Sequence, residues 1–284
     1  MTRIAITGGS GFVGSHLIKK LKELGADIIC LDIKNDIDIT DWAKIQTIER
    51  FDTLVHLAAK SYVPDSYKYP RDFYHSNLIG TLNALELCRI HKSKMVFISS
   101  YVYGVPKYLP IDEKHPTEAF NPYAQTKIIG EQLCSDYCTH FDVPVVILRP
   151  FNIYGEGQNE NFLIPAIIKQ AKTGKILLND LRPRRDYIYI DDFIDLLVKV
   201  IAIDRTGCEI FNAGTGVSYS VNELANMICS LFKSSIVIAS RNQERKNEVL
   251  ETIADITKAK KILNWTPKVD INEGLQRLKQ QLEL

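Results

Sequence analysis

Two residues four apart, Tyr123 and Lys127, carry the most pointed chemistry in this chain of 284 residues. On a helix they share a face, so a phenol and an ammonium would project side by side. A free tyrosine titrates near 10, too high for a base at neutral pH, and a neighbouring cation favours its phenolate. Bringing it to about 7 takes about 4 kcal/mol of differential interaction, within reach of two positive charges in a partly dry site. Far upstream stands Gly8-Gly9-Ser10-Gly11-Phe12-Val13-Gly14. Glycines that follow a strand and open a helix let the backbone approach a pyrophosphate, which then meets unpaired N–H groups and the positive end of the helix. Together the motifs predict a proton-transfer group beside a bound dinucleotide, whose oxidised nicotinamide would be the second charge. That is equipment for oxidising an alcohol. Either motif alone is weak, because Tyr-x-x-x-Lys arises by chance on amphipathic helices and glycine triplets make many tight turns.

The elements around these residues alternate. Arg3–Thr7 reads as a strand, Ser15–Leu24 as a helix stopped by Gly25, and Asp27–Leu31 as a second strand ending at Asp32. Thr40 is expected to cap a short helix running to Arg50, followed by a strand at Thr53–Leu57, a long helix at Phe73–His91 and a strand at Met95–Ile98. Asn121-Pro122 starts the helix that carries Tyr123 and Lys127, with Asn as cap and Pro in the first turn; Val145–Leu148 is the next strand. Near-continuous apolar strands alternating with helices predict an α/β fold, a doubly wound parallel sheet covered on both faces. Past Pro150 the rhythm loosens. Residues 152–161 read as a loop, helices are expected at Ile164–Thr173, Asp192–Ile203 and Val221–Phe232, and short strands near Tyr187–Ile190 and Ile236–Ile238. The expected organisation is a dinucleotide-binding unit over 1–155, with later segments contributing to it, and a smaller substrate-binding lobe over 156–284.

Composition narrows the class. The chain is 45% hydrophobic and 24% charged, with 35 basic and 34 acidic residues and a formal net charge of +1. That balance gives no electrostatic reason to expect nucleic acid or a membrane surface as partner. Apolar runs are too short to span a bilayer, and the N-terminus reads straight into a strand with no charged leader, so a cytoplasmic protein is expected. Cys30, Cys88, Cys134, Cys138, Cys208 and Cys229 are scattered without metal-site spacing, which predicts reduced thiols and no metal.

Asp32 stands 18 residues after Gly14, at the end of the second strand. A carboxylate there accepts hydrogen bonds from adenosine ribose hydroxyls and repels a 2′-phosphate, so NAD is expected over NADP, with Lys34 softening the preference. Ile33 would lie beside the same ribose, and Asp38 and Ile39 would flank the adenine. The glycine spacing is G-x-x-G-x-x-G rather than the G-x-G-x-x-G of ordinary dinucleotide folds.

Assembled in order, these residues resemble the extended short-chain dehydrogenase/reductases and, more narrowly, the sugar-nucleotide epimerase/dehydratase family, over nearly the whole chain. Thr7–Gly14 resembles its T-G-G-x-G-F-[IV]-G. His56-Leu57-Ala58-Ala59 is similar to the strand end that lines the cofactor, and Asn77-Leu78-Ile79-Gly80-Thr81 to N-x-x-G-T. Ser99-Ser100-Tyr101-Val102-Tyr103-Gly104 resembles the serine-bearing S-x-x-V-Y-G segment. Counting back from Tyr103 makes Ser99 the catalytic serine and leaves Ser100 to the substrate; a one-residue shift gives Ser100 the catalytic place. Arg149-Pro150-Phe151-Asn152-Ile153-Tyr154-Gly155 resembles R-x-x-N-x-Y-G, which implies that Pro150 and Phe151 back the nicotinamide and Asn152 holds substrate. Arg185-Asp186-Tyr187 and Arg245-Lys246-Asn247-Glu248 resemble the segments whose arginines clamp a diphosphate, with Glu248 at a ribose.

The resemblance implies a Rossmann-type fold, NAD as cofactor and a UDP-, dTDP- or GDP-linked sugar as substrate. It implies an NAD-dependent epimerase acting at C4 through a 4-keto intermediate, with Tyr123 moving the proton, Ser99 bonding the same oxygen and Lys127 holding cofactor ribose and tuning Tyr123. A reductase of a nucleotide-linked 4-keto-6-deoxy sugar is the alternative, favoured by the compact segment after Asp32 and opposed by Asp32 itself. A 4,6-dehydratase lacks its acidic pair here, because Ser100 and Tyr101 stand in those positions. A non-catalytic relative is opposed by the retention of serine, tyrosine and lysine. Base and sugar contacts are expected from loops such as Leu177–Arg184. The long helices resemble the pair that forms a four-helix homodimer interface in the family.

Overall fold

A computed structural model describes residues 2–204, 206–232, 236–244 and 248–281. Eleven strands are formed among them: β1 (Arg3–Thr7), β2 (Asp27–Leu31), β3 (Thr53–His56), β4 (Lys94–Ile98), β5 (Val145–Pro150), β6 (Asn152–Tyr154), β7 (Lys175–Leu178), β8 (Arg184–Tyr189), β9 (Cys208–Ala213), β10 (Ser218–Ser220) and β11 (Val237–Ser240). Six of them make one sheet in the order β2-β1-β3-β4-β5-β9, every pair parallel. The strand period of two sends alternate side chains to opposite faces. Ile4 and Ile6 of β1 enter one core, which continues through Phe193, Leu197 and Leu224 into the second half of the chain. Ala5 enters the other core, with Leu54, Leu85 and Phe97. Burial on both faces is why these strands read as unbroken apolar runs.

The order reverses between β1 and β3, so the crevice for a ligand opens at the carboxyl ends of those two strands. The sheet takes its last strand, β9, from well beyond residue 155. The remaining strands make a three-stranded sheet, β10-β8-β6, and a parallel pair, β11-β7.

The helix Pro122–Phe141 is capped by Asn121, whose Oδ1 accepts the Ala124 N–H at 2.8 Å. The expected helix over Phe73–His91 begins earlier, at Pro70, and is broken by a π turn at His75–Ile79. The Thr40-capped helix is not formed. The Thr40 hydroxyl is taken by Asp38 at 2.8 Å, Asp41 caps instead, and the helix spans only Trp42–Ile45. Within the expected loop 152–161, Asn152–Tyr154 pairs in parallel with Tyr187–Tyr189. Among the described residues no helix is long and apolar enough to cross a membrane, and no group of three or more His, Cys, Asp or Glu could hold a metal.

Candidate active site

The glycine turn closes against the end of β3. Gly8 has φ +67°, and a Cβ there would lie 2.8 Å from the Ala58 nitrogen. A Cβ on Gly14 would lie 2.3 Å from the Gly8 carbonyl oxygen. Both positions exclude any side chain. The helix Phe12–Glu23 starts at Gly11 with no side-chain cap and no acidic residue in its first turn. Its first N–H groups, from Phe12 and Val13 onward, are therefore available to an anion. Phe12 leans towards the loop at Gly155 and Gly157.

Asp32 is 7% exposed and accepts the N–H groups of Ser10 and Lys34, each at 2.9 Å. A carboxylate has about four acceptor sites, so lone pairs remain for ribose hydroxyls. Ile33 beside it is 72% exposed. Asp38 turns back on Thr40. The Ile39 side chain is buried and its carbonyl accepts from Asn83 at 2.8 Å. Leu57 and Ala58 hang by their N–H groups on the Thr7 hydroxyl, each at 3.1 Å, and lead into Ala59 at the crevice. A close backbone approach, free N–H groups at a helix start and a carboxylate at the end of β2 make a cradle suited to a dinucleotide.

The two serines part company. Ser99 is 2% exposed, and its hydroxyl donates to Glu131 Oε1 at 2.5 Å. Glu131 is clamped by Arg149, with Nη2 at 2.6 Å and Nε at 2.9 Å, and the Arg149 guanidinium lies over the Tyr103 ring. Ser99 therefore serves a buried ion pair. Ser100 is the serine whose side chain favours the Tyr123 phenolate, against the larger effect of burial. The pleat explains the exchange, because a shift of one residue reverses the face of the side chain.

Tyr123 and Lys127 stand on the helix Pro122–Phe141. Burial drives the Tyr123 phenol above its ordinary pKa, and Ser100 offsets this in part. Lys127 points inward: Nζ donates to the Ile98 carbonyl at 2.7 Å and sits over the Phe97 ring at 5.0 Å. Burial lowers its pKa to about 8, against weaker support from Cys134 and Glu131.

Asn77 occupies the π turn and is buried. Pro150 ends β5. Phe151 meets the Tyr101 ring edge-on at 5.4 Å, and Tyr101 touches Phe120 and Tyr103 in turn. This aromatic group runs from Ser100 towards Arg185, whose charge reaches Tyr101. Arg185 pairs with Glu248 at 2.5 Å and donates to the Val249 carbonyl at 2.6 Å. Asn152 spends one amide hydrogen on the Asp186 carbonyl at 2.9 Å. Arg245 lies outside the described residues. A cavity of about 260 Å³ lies between the exit of β3 and the loop after β6, walled by Lys60, Tyr62, Phe73, Asn159 and Phe162.

Sequence reasoning missed Glu131 and Asp186. Glu131 lies one further helical turn beyond Lys127, a spacing that could have found it. Asp186 is fully buried and accepts from Thr215, Gly216 and Ala254, tying β8 to two loops.

Comparison with known proteins identifies the family. Residues 4–214 match the model of the NAD dependent epimerase/dehydratase family. The chain is 33% identical to a Methanocaldococcus jannaschii protein provisionally named UDP-glucose 4-epimerase, covering 97% of this chain and 96% of that one. It is 30% identical to the UDP-glucose 4-epimerase of Lactobacillus helveticus, covering 94% and 92%. Among solved structures it is similar to the UDP-glucose 4-epimerase of Thermotoga maritima with UDP-glucose, with a TM-score of 0.90, 27% identity and 99% of each chain covered.

Proposed function

The chain belongs to the NAD dependent epimerase/dehydratase family, and from that premise we propose that it interconverts nucleotide-linked hexoses at C4 through a 4-keto intermediate. What supports this reading is the dinucleotide cradle that Gly8, Gly14 and Asp32 form, together with Tyr123 on the helix Pro122–Phe141 and Ser100 two residues beyond the end of β4. NAD, when bound, supplies a hydride acceptor that gives the hydride back, so the reaction is redox-neutral. Gly8, Gly11 and Gly14 admit its pyrophosphate to the N–H groups of Phe12 and Val13. Asp32 takes adenosine ribose hydroxyls and disfavours a 2′-phosphate, which selects NAD over NADP.

Tyr123 removes the proton of the C4 hydroxyl and returns one after the sugar has turned over, while Ser100 bonds the same oxygen. Burial keeps the phenol protonated at rest, so the proton is held at Oη until charge in the site draws it off. Lys127, an ammonium below pH about 8, holds ribose hydroxyls and contributes that charge. Pro150 and Phe151 wall the site. Arg185 and Glu248 anchor the nucleotide end, and the sugar swings between its two faces on that anchor. The relatives' names favour a UDP-hexose as substrate. The helices Gly80–His91 and Pro122–Phe141 expose Ile90 at 47% and Phe141 at 48%, and these helices pair with a second copy in a homodimer.

The test is incubation with UDP-glucose and no added cofactor, followed by NMR of the anomeric region. Galactosyl signals should grow to a fixed ratio. Tyr123→Phe should cost about 10³-fold in kcat, the scale of a lost proton-transfer group, with NAD still bound. Turnover retained by this variant would defeat the proposal.

A further inference from the structure

Behind the site, hydrogen bonds run from the glycine turn to the helix of Tyr123, and the direction of each is fixed by counting hydrogens. The Thr7 hydroxyl accepts two N–H groups at 3.1 Å, that of Ala58 and that of Leu57, which it shares with the Thr7 carbonyl at 3.2 Å. Its lone pairs are then spent, so its one hydrogen goes to His56 Nδ1 at 2.8 Å. The His56 hydrogen must therefore sit on Nε2, which faces Thr81 Oγ1 at 3.2 Å. Thr81 in turn donates to the Asn77 carbonyl at 2.6 Å. The Asn77 side chain brackets Lys60, accepting its N–H at 2.8 Å and donating to its carbonyl at 3.0 Å. It also donates to Thr126 Oγ1 at 2.9 Å, and Thr126 donates to the Tyr123 carbonyl at 2.7 Å.

No step can reverse without leaving a buried hydrogen unpaired, which is costly. His56 is 1% exposed and stacks on Phe97 at 6.1 Å, the ring that also carries the Lys127 ammonium. A second cation at His56 would repel Lys127, which agrees with an imidazole held neutral by burial and by Lys127. The π turn at His75–Ile79 gives the chain its bend, turning Asn77 towards both Lys60 and Thr126.

We propose that His56 is a positioning residue: its ring passes the placement of the glycine turn to the backbone of Tyr123, so the cofactor cradle and the proton carrier move as one unit. This rests on the reading of Tyr123 as the proton carrier.

Two experiments test it. Nitrogen-detected NMR of histidine-labelled protein should find the His56 hydrogen on Nε2 and a bare Nδ1 at neutral pH; a hydrogen on Nδ1 would overturn the proposal whatever the protein catalyses. With UDP-glucose as probe, His56→Leu and Thr126→Val, which share no partner, should each lower kcat about 10-fold with little change in KM, and together still about 10-fold rather than about 100-fold. His56→Gln, which keeps one acceptor and one donor, should recover most of the loss; His56→Phe, which keeps a ring and lacks both nitrogens, takes the place of His56→Leu if that variant does not fold. Multiplying effects, or no recovery with Gln, would refute coupling through the ring. Tyr123→Phe measured alongside separates the two claims: if it keeps turnover, the tyrosine assignment fails, and the NMR result still decides the chain of hydrogen bonds.

Discussion

Acid should unfold this protein partly through one imidazole. Burial, reinforced by the charge of Lys127, lowers the pKa of His56 from 6.5 to about 3. The unfolded chain takes up this proton near 6.5 and the folded chain only near 3. Between those values the unfolded state binds more protons, so stability falls as pH falls. The contribution is intact above pH 6.5 and is lost progressively below it. At pH 5, about 1.5 units into the window, the loss is about 2 kcal/mol at about 1.36 kcal/mol per unit. Urea unfolding of the wild type and of His56→Gln at pH 7 and pH 5 isolates it. The buried carboxylates Glu113, Asp186 and Asp192, whose pKa values are raised by burial, titrate in both proteins and cancel in the comparison. The wild type should lose about 2 kcal/mol more than the variant between the two pH values. Equal losses would mean that His56 is either already charged or open to water, and the buried, neutral ring described above would be wrong.

The two serines should separate cleanly. Ser100→Ala should lower kcat by about 10- to 100-fold with little change in stability, whereas Ser99→Ala should cost about 1–3 kcal/mol of stability and spare kcat, because it strips Glu131 of a buried donor; steady-state rates and urea midpoints together decide. Lys127 should show the reverse trade. Its folded pKa of about 8 lies below the ordinary 10.5, so the unfolded state binds more protons between those values and stability rises with pH across that window. Lys127→Met should therefore be inactive yet more stable at pH 7, by about 1–3 kcal/mol, and should lack the alkaline rise; a less stable variant would show that the Ile98 bond outweighs the burial of the charge.

Much of this molecule is legible one strand at a time. The sheet follows from apolar runs between helix signals, and the glycine turn from residues that no other side chain could replace. The Asn121-Pro122 start of the catalytic helix was readable because a cap is a local bargain between one side chain and one N–H. The elements misread were those where neighbours compete. Thr40 looks like a cap until Asp38 claims its hydroxyl. The π turn at Asn77 carries no local signal, because it depends on partners at Lys60, Thr81 and Thr126 that are remote in sequence or belong to other elements.

What spacing leaves open at the site has one cause. Spacing on a helix says which residues lie on a common face, not where a long flexible side chain ends. Lys127 shares a face with Tyr123, but its four-carbon stem finds a free carbonyl at Ile98 and an aromatic face at Phe97. Ser99 and Ser100 are chemically identical, so motif counting alone cannot choose between them. What chooses is Glu131, which needs a donor on the buried side of the pleat and takes the serine that points there. The buried ion pair of Glu131 with Arg149 thus decides which hydroxyl is left for the substrate. Glu131→Ala would free Ser99 while leaving Arg149 buried and unpaired, at about 3–5 kcal/mol, so the same group that assigns the serine also fastens the catalytic helix to β5.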